Sequence, residues 1–189
     1  MIQIHHLNNS RSQRILWLLE ELSLEYELVK YERDKTTNLA PETLRDAHPL
    51  GKSPVMVDGE ITIAESGAII DYIVATYGGG RLAPADIAAE QNKYNEWLHY
   101  SEGSAMLPLM LHLYVARLGD AGAPLRDRID GEIANNLKYM EDALQGRDFF
   151  MGNDLTGCGN RTYKLRFGSM SGYGALCQVP SGASGGAVG

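Results

Sequence analysis

The stretch His48–Ile70, "HPLGKSPVMVDGEITIAESGAII", decides the fold of this chain. Within it, "VMV", the Asp58-Gly59 turn and "ITI" predict a tight antiparallel hairpin, because Asp-Gly supplies the positive φ that short hairpin turns need. "ESGAIIDYIVATY" then predicts a helix, so a proline-led strand and a Glu-Ser helix start lie eleven residues apart. Upstream, "IQIHH" alternates as a strand does, and Ser10–Leu22 places Ile15, Leu16, Leu18, Leu19 and Leu22 at helical spacing. Tyr26–Tyr31 is a β-branched and aromatic strand, and Pro41 opens a short polar helix through Ala47. The order is βαβαββα over residues 1–78.

"GGGRLAP" follows, and residues 79–84 read as a linker because flexible glycines and a proline interrupt all periodicity. Residues 85–157 read as helical, in two long patterns at about 85–117 and 123–145. The second carries Leu125, Ile129, Ile133, Leu137, Met140 and Leu144 on one stripe. From Cys158 to Gly189 there is no Asp or Glu and eight glycines, a composition that predicts a disordered tail because little apolar surface offsets the ordering entropy.

The chain has 189 residues with 44% apolar content, enough for a core, and a net charge of -7 that disfavours nucleic acid and anionic membranes as partners. No charged-then-apolar leader and no membrane-length apolar run is present, which points to a cytoplasmic protein. Both cysteines, Cys158 and Cys177, lie in the tail, so residues 1–157 hold no disulfide framework, cysteine nucleophile or cysteine metal site. The five histidines lack metal-ligand spacing, and His5 and His6 point to opposite faces of a strand. No metal is expected.

A βαβ unit followed by a proline-led hairpin and a helix, joined to helices by a short linker, resembles a glutathione transferase. "NNSRSQRILWLLEEL", "HPLGKSPVMVDG", "IAESGAII" and "FMGNDLTG" stand in family positions, in order, from Ile2 to about Gly157. No tyrosine ends the first strand, so the chain resembles the serine-type bacterial and fungal branch. The resemblance implies an N-terminal thioredoxin-like domain, an incomplete all-helical second domain, a cytoplasmic homodimer and glutathione as co-substrate with a small apolar electrophile.

The resemblance also implies a cis Ser53-Pro54 bond, which X-Pro linkages tolerate far better than others do. It would leave Ser53 as a backbone edge onto which an extended tripeptide adds as a strand; a proline at an ordinary strand edge is the plainer reading. Glu65 and Ser66 would meet the γ-glutamyl ammonium and carboxylate at a helix N-terminus, or simply cap it. Lys52 would pair with the glycyl carboxylate or be a solvated loop lysine, and His48 would line the site or pack in its loop. Ser10 aligns with the family's serine, which would donate to the thiolate; the alternative is a helix N-cap. Ser12 and Asn9 are rival donors, and Arg11 would add positive potential or stand exposed. Trp97, Tyr100, Met106 and Met110 are candidate walls for the electrophile, or helix core.

In relatives "DLTG" leads into an Ala-Asp pair and a buried helix, whereas Gly157, Cys158 and Gly159 stand here, and Gly159 cannot complete a capping box with Thr156. A shifted reading frame or misassembled gene after Gly157 accounts for the change, with a divergent C-terminus as the alternative. Reading the coding DNA in its other frames decides this: failure to find, in any of them, an amphipathic helix opening with an acidic cap rules out the frameshift. The stripe Leu125–Leu144 would then lack its packing partner. Glutathione conjugation is the leading reading; glutathione-dependent peroxide reduction and a non-catalytic binding module are the others. A disulfide exchanger is disfavoured because no cysteine stands at the first helix start.

Overall fold

The computed structural model describes residues 1–158; the tail from Gly159 to Gly189, expected to be disordered, lies outside the described residues. The chain divides into two compact units between Arg81 and Leu82.

The first unit is built from β1 (Ile2–Leu7), α1 (Ser12–Leu22), β2 (Tyr26–Tyr31), α2 (Leu44–Ala47), β3 (Val55–Asp58), β4 (Ile61–Ala64) and α3 (Ser66–Tyr77). One mixed sheet has the order β2-β1-β3-β4, with β1 parallel to β2 and antiparallel to β3, and β3 antiparallel to β4. This is the thioredoxin-like βαβαββα arrangement.

Two periodicities produce it. Along α1, Ser12, Ile15, Leu18, Leu19 and Leu22 are buried on one stripe, and Ile69, Ile70, Ile73 and Val74 do the same on α3. Ile4, Val55 and Met56 from the sheet complete a core with no exposed surface at those positions. The hairpin pairs Asp58 with Ile61, so its two-residue loop is Gly59–Glu60, one residue beyond the expected turn, with Gly59 at φ 60°. Pro41 does not open a full helix: Leu44 N donates to Pro41 O, a tight turn that leads into a single helical turn at α2.

Arg81 falls in the stretch read as a flexible linker, yet its guanidinium donates to the carbonyls of Glu21 and Leu22. It satisfies acceptors that the end of α1 leaves open.

The second unit contains α4 (Ala88–Tyr100), a π-helical turn (Ser101–Ala105), α5 (Met106–Ala116), a 3-10 turn (Gly119–Gly122) and α6 (Ala123–Ala143). The expected helix over 85–117 is thus interrupted. Pro108 has no amide to give the preceding turn, and the wide turn ahead of it accommodates the missing bond. The stripe on α6 is not left bare. Ile129 and Ile133 pack with Val115, Leu109 and Leu137, while Met140 and Leu144 pack on Tyr94, Trp97, Phe150 and Cys158. Leu125 alone of the stripe is largely exposed.

Candidate functional site

Register brings three chain openings to one end of the first unit's sheet. His5 pairs with Val55, and Val55 with Ala64. The loop after β1, the Ser53-Pro54 bond before β3, and Glu65-Ser66 after β4 therefore leave the sheet at the same edge. The Ser53-Pro54 bond is cis, and Pro54 is buried.

Hydrogen bonds join the first two openings. Ser53 Oγ donates to His5 O at 2.8 Å and accepts from the Leu7 amide at 3.1 Å. Ser10 Oγ donates to Ser53 Oγ at 3.3 Å and lies 2.7 Å from Ser12 Oγ. Ser12 Oγ in turn lies 2.7 Å from His6 Nδ1. Ser10 also accepts from the Ser12 amide at 3.3 Å while still reaching Ser53, and the N-cap position of α1 is Arg11, with no side-chain capping bond.

The rival donors fare differently. Ser12 has no exposed surface, because it begins the buried stripe of α1, so it is an inner partner of Ser10 and cannot itself touch a ligand. Asn9 is exposed in a left-handed conformation, φ 51°, with its carbonyl accepting from Arg33 at 3.3 Å. Arg11 is half-buried rather than exposed.

Glu65 precedes α3 with φ 71° and ψ 119° and makes no side-chain capping bond. A glutamate in that region is strained by about 1–3 kcal/mol, a feature that collects at ligand-binding positions. Ser66 is almost fully buried at the first turn of α3, where amides lacking helical partners favour an anion. Lys52 is exposed. His48 closes α2 in extended conformation and its Nδ1 accepts from the Leu50 amide at 3.3 Å, a loop-forming role.

The candidate wall residues divide. Trp97 is 3% exposed and stacks on Phe150 at 4.2 Å between centroids. It belongs to the second unit's own core and is withdrawn as a wall residue, since a side chain without surface cannot meet a ligand. Tyr100 donates to Asn136 Oδ1 at 2.9 Å, and burial pushes its phenol up to about 12. Met106 and Met110 keep partial exposure.

Two residues were missed by sequence reasoning. His6 joins the serine chain; the only signal was its alternation with His5, which instead meets the Tyr31 hydroxyl at 2.9 Å. Arg33 donates to the carbonyls of Asn8, Asn9 and Asn38, and its amide donates to Asn8 Oδ1, clamping the loop that carries Ser10. Nothing local to Arg33 announces this. Burial lowers both imidazoles below their ordinary value, aided at His6 by the Lys30 charge and opposed at His5 by Glu27.

Among the described residues, no group of three or more His, Cys, Asp or Glu side chains is placed to hold a metal ion. No helix among them is long and apolar enough to cross a membrane.

Residues 2–75 match the family model described as glutathione S-transferase, N-terminal domain. Glutathione S-transferase 3 of Schizosaccharomyces pombe is 36% identical over 170 residues, covering 82% of this chain and 69% of that protein. Glutathione S-transferase 1 of Saccharomyces cerevisiae is 31% identical over 208 aligned positions, covering 93% of this chain and 87% of that protein. The latter alignment spans a larger share of this chain than the former, 93% against 82%. Among solved structures, a glutathione S-transferase from Actinobacillus pleuropneumoniae superposes with a TM-score of 0.74 at 36% identity, over 84% of this chain and 73% of that one. A glutathione transferase family member from Pseudomonas fluorescens, solved with two glutathione molecules bound, gives 0.69 at 25% identity, over 83% and 71%. With the fold, the sheet-end openings and these relatives in agreement, the chain belongs to the glutathione S-transferase family.

Proposed function

We propose that this protein conjugates glutathione to small apolar electrophiles, with Ser10 stabilising the thiolate. The observation that carries the reading is the convergence of Ser10 and Ser53 by hydrogen bond at the sheet end where Glu65-Ser66 opens α3. Glutathione would add along Ser53 through main-chain bonds, as a strand adds to an edge. Its γ-glutamyl carboxylate would take the amides of α3 and the Ser66 hydroxyl, with Glu65 facing the ammonium and Lys52 the glycyl carboxylate.

The thiol then lies over Ser10, at the N-terminus of α1. It loses its proton to solvent, and a hydroxyl donor with the helix dipole lowers its pKa by about two units, or roughly 2.7 kcal/mol. The thiolate attacks the electrophilic carbon. A C–S bond forms, and either a leaving group departs with its electron pair or the adduct takes a proton from water. The family resemblance supports a homodimer acting in the cytoplasm.

The test is glutathione-affinity retention with turnover. Ser10→Ala should stay bound to immobilised glutathione while kcat/KM falls about a hundredfold, matching the two pKa units lost. A Glu65→Gln, Ser66→Ala double variant should pass through the column unretained. Retention without turnover on any electrophile would replace this reading with a binding module, and peroxide turnover in place of conjugation would replace it with a peroxidase.

A further inference from the structure

We propose that His6 is a positioning residue that turns the Ser10 hydroxyl proton toward the glutathione sulfur by donating from Nδ1 to Ser12. The inference rests on the transferase reading above and follows from counting protons along one chain of contacts. Each serine hydroxyl has one proton to give. Ser53 gives its proton to His5 O, a carbonyl that can only accept, and receives one from the Leu7 amide. Toward Ser10 it can therefore only accept, at 3.3 Å, the longer of the two hydroxyl contacts of Ser10. A thiolate also only accepts, so it competes for the same Ser10 proton.

For Ser10 to donate outward, it must accept across its 2.7 Å contact with Ser12, which makes Ser12 the donor there. Ser12 then has nothing to give His6 across the second 2.7 Å contact, so Nδ1 must carry the proton. In the reverse arrangement Ser10 donates to Ser12 and Ser12 to a bare Nδ1, leaving lone pairs of Ser10 facing the sulfur and disfavouring its ionisation. In a third, Ser12 turns its proton to Leu7 O at 3.4 Å, and the proton of Ser10 again goes inward. Only the Nδ1–H form of His6, with Ser12 donating to Ser10, leaves the hydroxyl free to stabilise a thiolate.

The fold makes this chain rigid. Ser12 has no exposed surface, and His6 is held in β1 by its ladder to Lys30. Burial and the Lys30 charge both disfavour the imidazolium, so the choice lies between two neutral tautomers, each of which sets a different direction for every hydroxyl beyond it.

The experiment uses the full chain. Nitrogen-15 imidazole correlation spectra with saturating glutathione should show His6 Nδ1 protonated and Nε2 bare; a bare Nδ1 overturns the proposal without any substitution. Ultraviolet titration of the bound thiolate should show His6→Leu raising the thiol pKa by about one unit. At pH below that pKa, kcat/KM should fall about tenfold, with the KM for glutathione changed less than about twofold. His6→Asn, whose amide can donate from the position of Nδ1, should recover most of the loss. If the wild-type chain ionises glutathione and His6→Leu does so equally, the relay falls and the transferase reading stands. If the wild-type chain neither binds nor ionises glutathione, both fall.

Discussion

Glu65 is strained at an exposed position, whereas Cys158 is buried, and each position carries its own test. The positive φ of 71° at Glu65 costs glycine less than it costs a residue with a Cβ. Glu65→Gly removes about 1–3 kcal/mol of strain and adds about 0.4–1 kcal/mol of unfolded-chain entropy, so strain relief wins. The variant should melt at a higher temperature while losing retention on immobilised glutathione; a lower melting temperature would show that the conformation carries no strain. Cys158 is buried beside Phe150 and Trp97, and burial pushes its thiol up to about 11. Only the thiolate alkylates at a useful rate. Peptide mapping after iodoacetamide treatment should find Cys158 unmodified in the native protein and modified after denaturation; rapid native modification contradicts the burial.

Among the elements, the hairpin and the helix that follows are tied by one carboxylate. Asp58, at the end of β3, accepts from the hydroxyls of Tyr77 and Tyr72 on α3. The Tyr77 bond chiefly holds its carboxyl below the usual range, and it pushes the Tyr77 phenol up to about 12. In the second unit the turn between α5 and α6 depends on Gly122. A Cβ there would lie 2.6 Å from Val115 O and 2.7 Å from Val115 Cγ1. Backbone cannot move aside as a flexible side chain can, so Gly122→Ala should destabilise the protein by about 1–3 kcal/mol. Urea unfolding followed by tryptophan fluorescence in a Trp17→Phe background, which leaves Trp97 as the reporter, measures this; a midpoint unchanged from the same background without Gly122→Ala would mean that the turn relaxes freely.

At the scale of the whole molecule, acid sensitivity should begin with histidine rather than carboxylates. His5 and His6 are both held below their ordinary value of 6.5, chiefly by burial. The unfolded chain therefore takes up protons at a higher pH than the folded one. Stability is full above pH 6.5 and declines as pH falls through the folded values. Asp58, held low chiefly by Tyr77, extends the loss further into acid. Urea midpoints taken from about pH 7.5 to about pH 5 should fall before the carboxylate range is reached. A flat midpoint across that window contradicts the burial of the two rings.

Element order was legible because its signals are local. Alternation in "IQIHH", the 3.6-residue stripes of α1 and α3, and the Asp-Gly turn each lie within a window that dictates its own backbone. Ser10, Ser53, Glu65 and Ser66 were legible as candidates because the family resemblance falls on them at the starts of helices and strands; position alone reads equally as caps and an edge proline. Pro108 is the local signal for the helix break at Ser101–Ala105, and the single long helical pattern expected over 85–117 did not take it into account. Trp97 stood among the candidate wall residues because amphipathicity says which face is apolar, never what covers it; Phe150, far along the chain, does.

By itself, then, the sequence determined which segments become strands and helices and which residues stand at their ends, because those properties depend on neighbours along the chain. Tertiary structure alone decided that Ser10 meets Ser53, that Ser12 is sealed beneath α1 against His6, and that Arg33 fastens the loop between them. Hydrogen bonds form between groups within about 3 Å of each other in space, and no periodicity encodes which distant backbone will fold into that reach.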